Sequence, residues 1–175
     1  PSSVGLAFLI LPLVALVARV DPATFWGDVT SPAAVSALAL SLSTGLVATL
    51  VCTVIGVPLA LLIARSPRRT AAVLRAIVTI PLVLPPMVGG VALLYLFGRN
   101  GWLGGLGLSF STPAVVLAQV FVALPFLVLA VEGAVRTTGV DFEQTAAALG
   151  AGRWTILRRI TLPLAAPGIV AGVVL

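Results

Sequence analysis

The chain has no histidine, and all ten of its basic residues are arginine, so lysine is missing as well. These residues therefore hold no Walker-A lysine, no Schiff-base lysine, no triad histidine and no histidine-ligated metal. If ATP drives a process here, another polypeptide hydrolyses it. Cysteine occurs once, as Cys52 inside an apolar run, which excludes a disulfide framework and cysteine metal-ligand spacing. Charge of either sign is scarce, at 9% of 175 residues.

Apolar residues fill the space. The sequence is 60% hydrophobic with a mean hydropathy of +1.23, far outside the range of soluble domains, so the expected fold is an all-α, polytopic membrane helix bundle. The net charge of +5 and the pI near 11.4 invite a nucleic-acid reading. The arginines are scattered between apolar runs and build no basic face, so nucleic acid is not an expected partner.

The apolar runs place spans at about 4–20, 34–64, 76–98 and 113–135, with a further run at 164–175, all within one transmembrane domain covering 1–175. The first run lacks the basic flank and small-residue exit of a signal peptide and is read as a span. Residues 21–32, DPATFWGDVTSP, are expected to form a loop, because Asp21, Pro22, Asp28 and Pro32 argue against continued helix. The last run holds about twelve residues where a crossing needs roughly twenty, so the chain is expected to continue beyond it.

Orientation follows from the arginines. With a cytoplasmic N-terminus, Arg65, Arg68, Arg69, Arg75, Arg136, Arg153, Arg158 and Arg159 lie inside, and Arg19 and Arg99 outside. Aromatics at Phe25, Trp26, Tyr95, Phe97, Trp102 and Phe110 then fall at the outer interface.

Three features inside the spans stand out. Ala48, Cys52, Gly56, Ala60 and Ala64 recur every fourth residue, forming a groove for a neighbouring helix. Gly168 and Gly172 suit close packing in the same way. Pro81, Pro85 and Pro86, with Gly89 and Gly90, make an unbroken helix improbable in the third span. That is either a kink with no further role or a broken helix of the kind that lines transporter sites. Glu132 is the one acid in an apolar context; its position four residues before Arg136 favours an exposed helical ion pair over an intramembrane functional acid.

The stretch from Asp141 to Pro163, DFEQTAAALGAGRWTILRRITLP, suits neither lipid nor a lipid-buried core. Asp141 and Gln144 have the spacing of a capping box, so a short helix is expected to start at Asp141 and end at Gly150. A second helix should begin near Arg153, turn Trp154, Leu157, Ile160 and Thr161 to one side, leave Arg158 and Arg159 free, and close at Leu162-Pro163. One reading is an interfacial helix lying on the membrane.

The same stretch resembles the EAA loop of ABC importer permeases, whose pattern is Glu-Ala-Ala, three residues, Gly, nine residues, Ile-x-Leu-Pro. Here it reads Gln144-Thr145-Ala146, Gly150, then Ile160-Thr161-Leu162-Pro163. Gln144 and Thr145 depart from the usual Glu and Ala, and Glu143 offers a carboxylate one position early. The resemblance implies that Glu143, Gln144, Ala146, Gly150, Arg153, Ile160, Leu162 and Pro163 couple the bundle to a separate ABC ATPase subunit. Pro81-Leu82-Val83-Leu84-Pro85-Pro86, Gly89-Gly90 and Leu117-Ala118-Gln119-Val120-Phe121-Val122-Ala123-Leu124-Pro125-Phe126 resemble the molybdate branch.

By that resemblance an oxyanion passes near Pro81, Pro85, Pro86, Met87, Gly89 and Gly90. It implies a permease subunit without its own ATPase site, in a bacterial or archaeal plasma membrane, importing molybdate. Sulfate, thiosulfate or tungstate are the alternatives within the family. The implied partners are the ATPase, which uses the ATP, an extracytoplasmic substrate-binding protein, a second permease copy and membrane lipid, with no cofactor bound by this chain. A non-transporting membrane scaffold is the alternative from another class.

Overall fold

Prolines and glycines divide a sequence that would otherwise favour long helices throughout. The computed structural model describes the backbone of residues 2–138 and 140–174, with side chains for all of these except residues 2–4, 9, 22, 138, 140, 141 and 144. Nine α-helices make up the described residues: α1 (Ser2–Val17), α2 (Pro22–Val29), α3 (Pro32–Arg65), α4 (Arg68–Val83), α5 (Pro86–Phe97), α6 (Thr112–Thr138), α7 (Val140–Ala148), α8 (Arg153–Ile156) and α9 (Leu162–Val174). A 3-10 turn at Gly104–Leu106 and a π turn at Leu157–Thr161 complete them, and no strand is present among the described residues.

The chain divides into two units, 1–42 and 43–175. In the first, α1 is a 16-residue apolar helix, shorter than the first span read from the sequence. The expected loop at 21–32 is corrected. Asp21 caps α2, its Oδ1 accepting from Ala23 N at 2.9 Å, and Pro22 stands at the start of the helix, where its missing N–H costs nothing. The same device recurs at Ser31, whose Oγ accepts from Ala34 N at 3.2 Å ahead of Pro32 and α3. These Asp-Pro and Ser-Pro pairs are starts of helices as well as ends of others. Phe25 and Trp26 stack edge to face at 5.3 Å.

The second unit is built around α6. The small-residue stripe of α3 faces inward as expected, with Ala48, Cys52, Gly56 and Ala60 buried. A Cβ on Gly56 would lie 2.6 Å from Leu127 Cδ2, so any larger residue there would require the Leu127 side chain to shift. Gly168 of α9 lies against Ala130 and Ala134, and Gly172 against Leu127, making α6 and α9 the most extensively packed pair. Leu127, Val128, Val131 and Val135 of α6 meet Val57, Leu61 and Ile63 of α3, Ala71 of α4 and Ala165 of α9 in one apolar cluster.

The third span is two helices, bent by 106° between α4 and α5. The cause is local. Leu84 and Pro85 each precede a proline, which disfavours helical backbone, and both are extended, at ψ 133° and 140°. Helix resumes at Pro86, in the first-turn position proline tolerates. Pro58, Pro125 and Pro167 sit inside helices without ending them.

Among the described residues, three helices are long and apolar enough to cross a membrane: Pro32–Arg65, Thr112–Thr137 and Arg153–Val174. The α4–α5 pair makes a fourth if counted as one span. The last corrects the expected close at Leu162-Pro163. Pro163 cannot donate to a carbonyl four residues back, and the preceding turn widens so that Leu162 N bonds Leu157 O, which carries the helix through.

Candidate functional site: the elbow between α7 and α8

Thr145-Ala146-Ala147-Ala148 favours helix, and α7 runs to Ala148. It begins at Val140, which puts Asp141 inside the first turn instead of at the cap; the side chains of Asp141 and Gln144, on which the capping box depends, lie outside the described residues. Gly150 terminates the helix as expected. Its φ is +83°, its N–H bonds Ala147 O at 3.0 Å, and Ala151 N bonds Ala146 O at 3.0 Å. Those two bonds make a Schellman turn, which needs a left-handed residue at this position. Gly152 then opens α8, with Ile156 N bonding Gly152 O at 3.0 Å.

The outer side of this elbow is apolar and uncovered. Phe142, Leu149 and Trp154 are 62%, 84% and 71% exposed. Trp154 therefore does not share the side of Leu157, Ile160 and Thr161 that was expected of it. Ile156 and Thr161 are buried in its place, five residues apart, because the π turn sets them over one another. Leu157 and Ile160 are half-buried, whereas Arg158 and Arg159 are exposed.

The inner side is polar. Arg65, the last residue of α3, donates from one guanidinium nitrogen to Glu143 Oε1 at 2.8 Å and to Thr161 Oγ1 at 2.9 Å. The Thr161 hydroxyl in turn donates to Glu143 Oε1. Burial by itself would raise the Glu143 carboxyl. The hydrogen bonds from Arg65 and Thr161, with the guanidinium charge, outweigh it and hold the group below the ordinary glutamate range. Beside this network lies a cavity of about 450 Å³ lined by Ala64, Arg65, Val135, Glu143, Ala147, Arg153 and Ile156.

Of the residues singled out in the sequence, Glu143 and Arg153 line that cavity, and Ala146 and Gly150 make the Schellman turn. Leu162 and Pro163 are exposed at the start of α9. Arg65 and Thr161 were not among the expected coupling residues. The signal for Thr161 was its place in Ile160-Thr161-Leu162-Pro163; for Arg65 it was the shortage of acids, five against ten arginines, which makes each carboxylate a contested partner.

A second ionic cluster sits deeper. Glu132 is only 3% exposed, not the surface partner expected, and Arg136 Nε reaches its Oε1 at 2.9 Å as the spacing predicted. Arg75 of α4 adds a two-pronged grip, with Nε 3.1 Å from Oε2 and a second nitrogen on Oε1.

The residues at the α4–α5 break are variously placed. Met87 is 83% exposed, Pro85 and Pro86 are exposed and Pro81 is half-buried. Gly89 is buried against Phe121, and Gly90 lines an apolar cavity of about 190 Å³ with Leu93, Phe97 and Leu117. No group of metal-ligating side chains stands together among the described residues.

Residues 56–175 match the family described as binding-protein-dependent transport system inner membrane component. The chain is 50% identical, along its whole length, to the molybdenum transport system permease protein ModB of Mycobacterium tuberculosis, covering 69% of that protein. It is 42% identical over 99% of its length to a probable molybdenum ABC transporter permease of Haloferax volcanii, covering 65% of it. It is 33% identical over 95% of its length to the sulfate transport system permease protein CysT of Escherichia coli, covering 64% of it. An all-helical architecture with several membrane-crossing helices, a proline-broken span and a glycine-terminated elbow in the EAA pattern agrees with these matches: the chain belongs to the family of binding-protein-dependent transport system inner membrane components.

Proposed function

We propose that this chain is the permease subunit of an ATP-driven importer whose cargo is molybdate. The carrying observation is the elbow. A Gly150 turn presents Leu149 and Trp154, with Phe142, as an apolar face next to the exposed Arg153, Arg158 and Arg159. A separate ATPase takes that face, binds and hydrolyses the ATP, and leaves this chain without a cofactor of its own. The positive-inside bias supports a cytoplasmic elbow and a cytoplasmic N-terminus, in a bacterial or archaeal cell. A second permease copy completes the pathway, which passes the α4–α5 break at Pro81, Pro85, Pro86, Met87, Gly89 and Gly90. An extracytoplasmic binding protein delivers the anion, and lipid covers the remaining apolar surface.

The cargo assignment is supported by the names of the relatives at 50% and 42% identity, against 33% for the sulfate permease. The test is ATP-dependent uptake into vesicles containing the full-length permease with its ATPase and binding protein. Molybdate is expected to accumulate, and excess sulfate to compete poorly. Uptake of sulfate in preference to molybdate overturns the cargo; no uptake of either anion overturns the transporter reading. A cysteine replacing Thr155 is expected to react only with reagents that cross the membrane.

A further inference from the structure

The turn between α7 and α8 is flanked by Gly150 and Gly152, and a Cβ built on either meets nothing within 4 Å. The joint is held by the two backbone bonds of the Schellman turn, with no side chain packed at either glycine. A push on Leu149 or Trp154 would be absorbed there, as a change of angle between two short helices, unless α7 is pinned to something stiffer.

Three side chains do the pinning. Arg65 ends the 34-residue helix α3, Glu143 lies in α7, and Thr161 closes the π turn that leads without interruption into α9. One guanidinium nitrogen bonds both partners, at 2.8 and 2.9 Å, and the threonine hydroxyl and the guanidinium meet on the same carboxylate oxygen. Thr161 is 1% exposed, and beyond Arg65 and Glu143 its hydroxyl has a longer contact with Ile156 O, at 3.4 Å. The π turn matters here because it places Thr161 over Ile156, on the face toward Arg65.

We propose that Arg65, Glu143 and Thr161 form a latch that locks the elbow to α3 and α9, so that a displacement delivered at the elbow turns those two helices instead of flexing the glycine joint. This rests on the permease reading. The three are positioning residues: none touches cargo or nucleotide, and each acts by holding α7. Loosening the latch leaves the elbow free to be gripped but wastes the stroke, so hydrolysis and import come apart.

The experiment is the ratio of ATP hydrolysed to molybdate imported, measured per copurified ATPase in vesicles holding the full-length complex. Wild-type import is the internal control, since its absence removes the permease reading without addressing the latch. With import established, Glu143→Gln is expected to raise the ratio at least threefold. Thr161→Val, which deletes only the hydroxyl and keeps the volume, is expected to raise it in the same direction. The exchange Arg65→Glu with Glu143→Arg is expected to bring it back toward wild type, which loss of packing does not predict. Should Glu143→Gln fail to assemble, Thr161→Val decides alone. A wild-type ratio in Thr161→Val, or an exchange variant no better coupled than its single substitutions, overturns the latch.

Discussion

Arg75 of α4 grips Glu132 of α6 with two donors across 57 positions of sequence, and Arg136 takes the same carboxylate from one turn along α6. One buried acid thus holds two arginines, Arg75 from the middle of α4 and Arg136 from the last turn of α6.

Replacing Glu132 by alanine leaves both guanidinium groups without their anion. Breaking a fully buried pair costs about 3–5 kcal/mol. Arg75 and Arg136 keep 40% and 41% of their side-chain surface exposed and can rehydrate, so a smaller loss of about 2 kcal/mol is expected. Thermal unfolding in detergent reads it directly. Glu132→Gln should fall between alanine and wild type, and an unchanged midpoint for alanine would contradict the pairing.

Gly168 and Gly133 offer a matched comparison. A Cβ on Gly168 meets Ala134 Cβ at 2.6 Å and Ala130 O at 2.7 Å, whereas one on Gly133 meets nothing. Gly168→Ala should push α9 from α6 and cost about 1–3 kcal/mol. Gly133→Ala should be neutral or stabilising by up to about 1 kcal/mol, through helix propensity alone. Equal midpoints for the two variants would refute the close α6–α9 contact.

At Gly150 the space is open and the backbone is the constraint. With φ at +83°, Gly150→Ala should cost about 1 kcal/mol, confined to the elbow. Amide exchange should speed up over residues 146–152 and stay unchanged in α6. Because the elbow is the proposed docking segment, less ATPase should copurify, and Gly150→Asn, which tolerates the left-handed region better, should retain more of it.

The Glu143 carboxyl lies below its ordinary range, chiefly because the Arg65 and Thr161 hydrogen bonds overcome the opposing effect of burial. A folded-state pKa below the unfolded one means that the contribution is complete above the unfolded value and lost as pH falls through the folded value. Protection factors in α7 should be flat from about pH 7 to 5 and decline below about pH 4. Glu143→Gln should remove that pH dependence, and its persistence there would assign it to another group.

The break between α4 and α5 was legible in the sequence because proline acts on its immediate neighbour: Leu84 and Pro85 are extended for reasons contained within three residues. Gly150 and the α3 stripe were legible for similar reasons, a single backbone requirement and a four-residue period. The helix at Pro22–Val29 was missed although its signal was present, since Asp-Pro was read as an end when it was a beginning.

The sequence by itself determined that this is a helical membrane protein, that its third span breaks at Pro85-Pro86, and that a helix ends at Gly150. Those are consequences of hydrocarbon content and of steric rules that operate within a turn of helix. Only the tertiary structure decided which arginines Glu132 and Glu143 hold, that Ile156 is buried while Trp154 is exposed, and that Leu162-Pro163 continues a helix. Arg65 and Glu143 lie 78 positions apart and Arg65 and Thr161 lie 96 apart, and no local period encodes such a meeting. It exists because the packing of α3, α6 and α9 brings Arg65, Glu143 and Thr161 together.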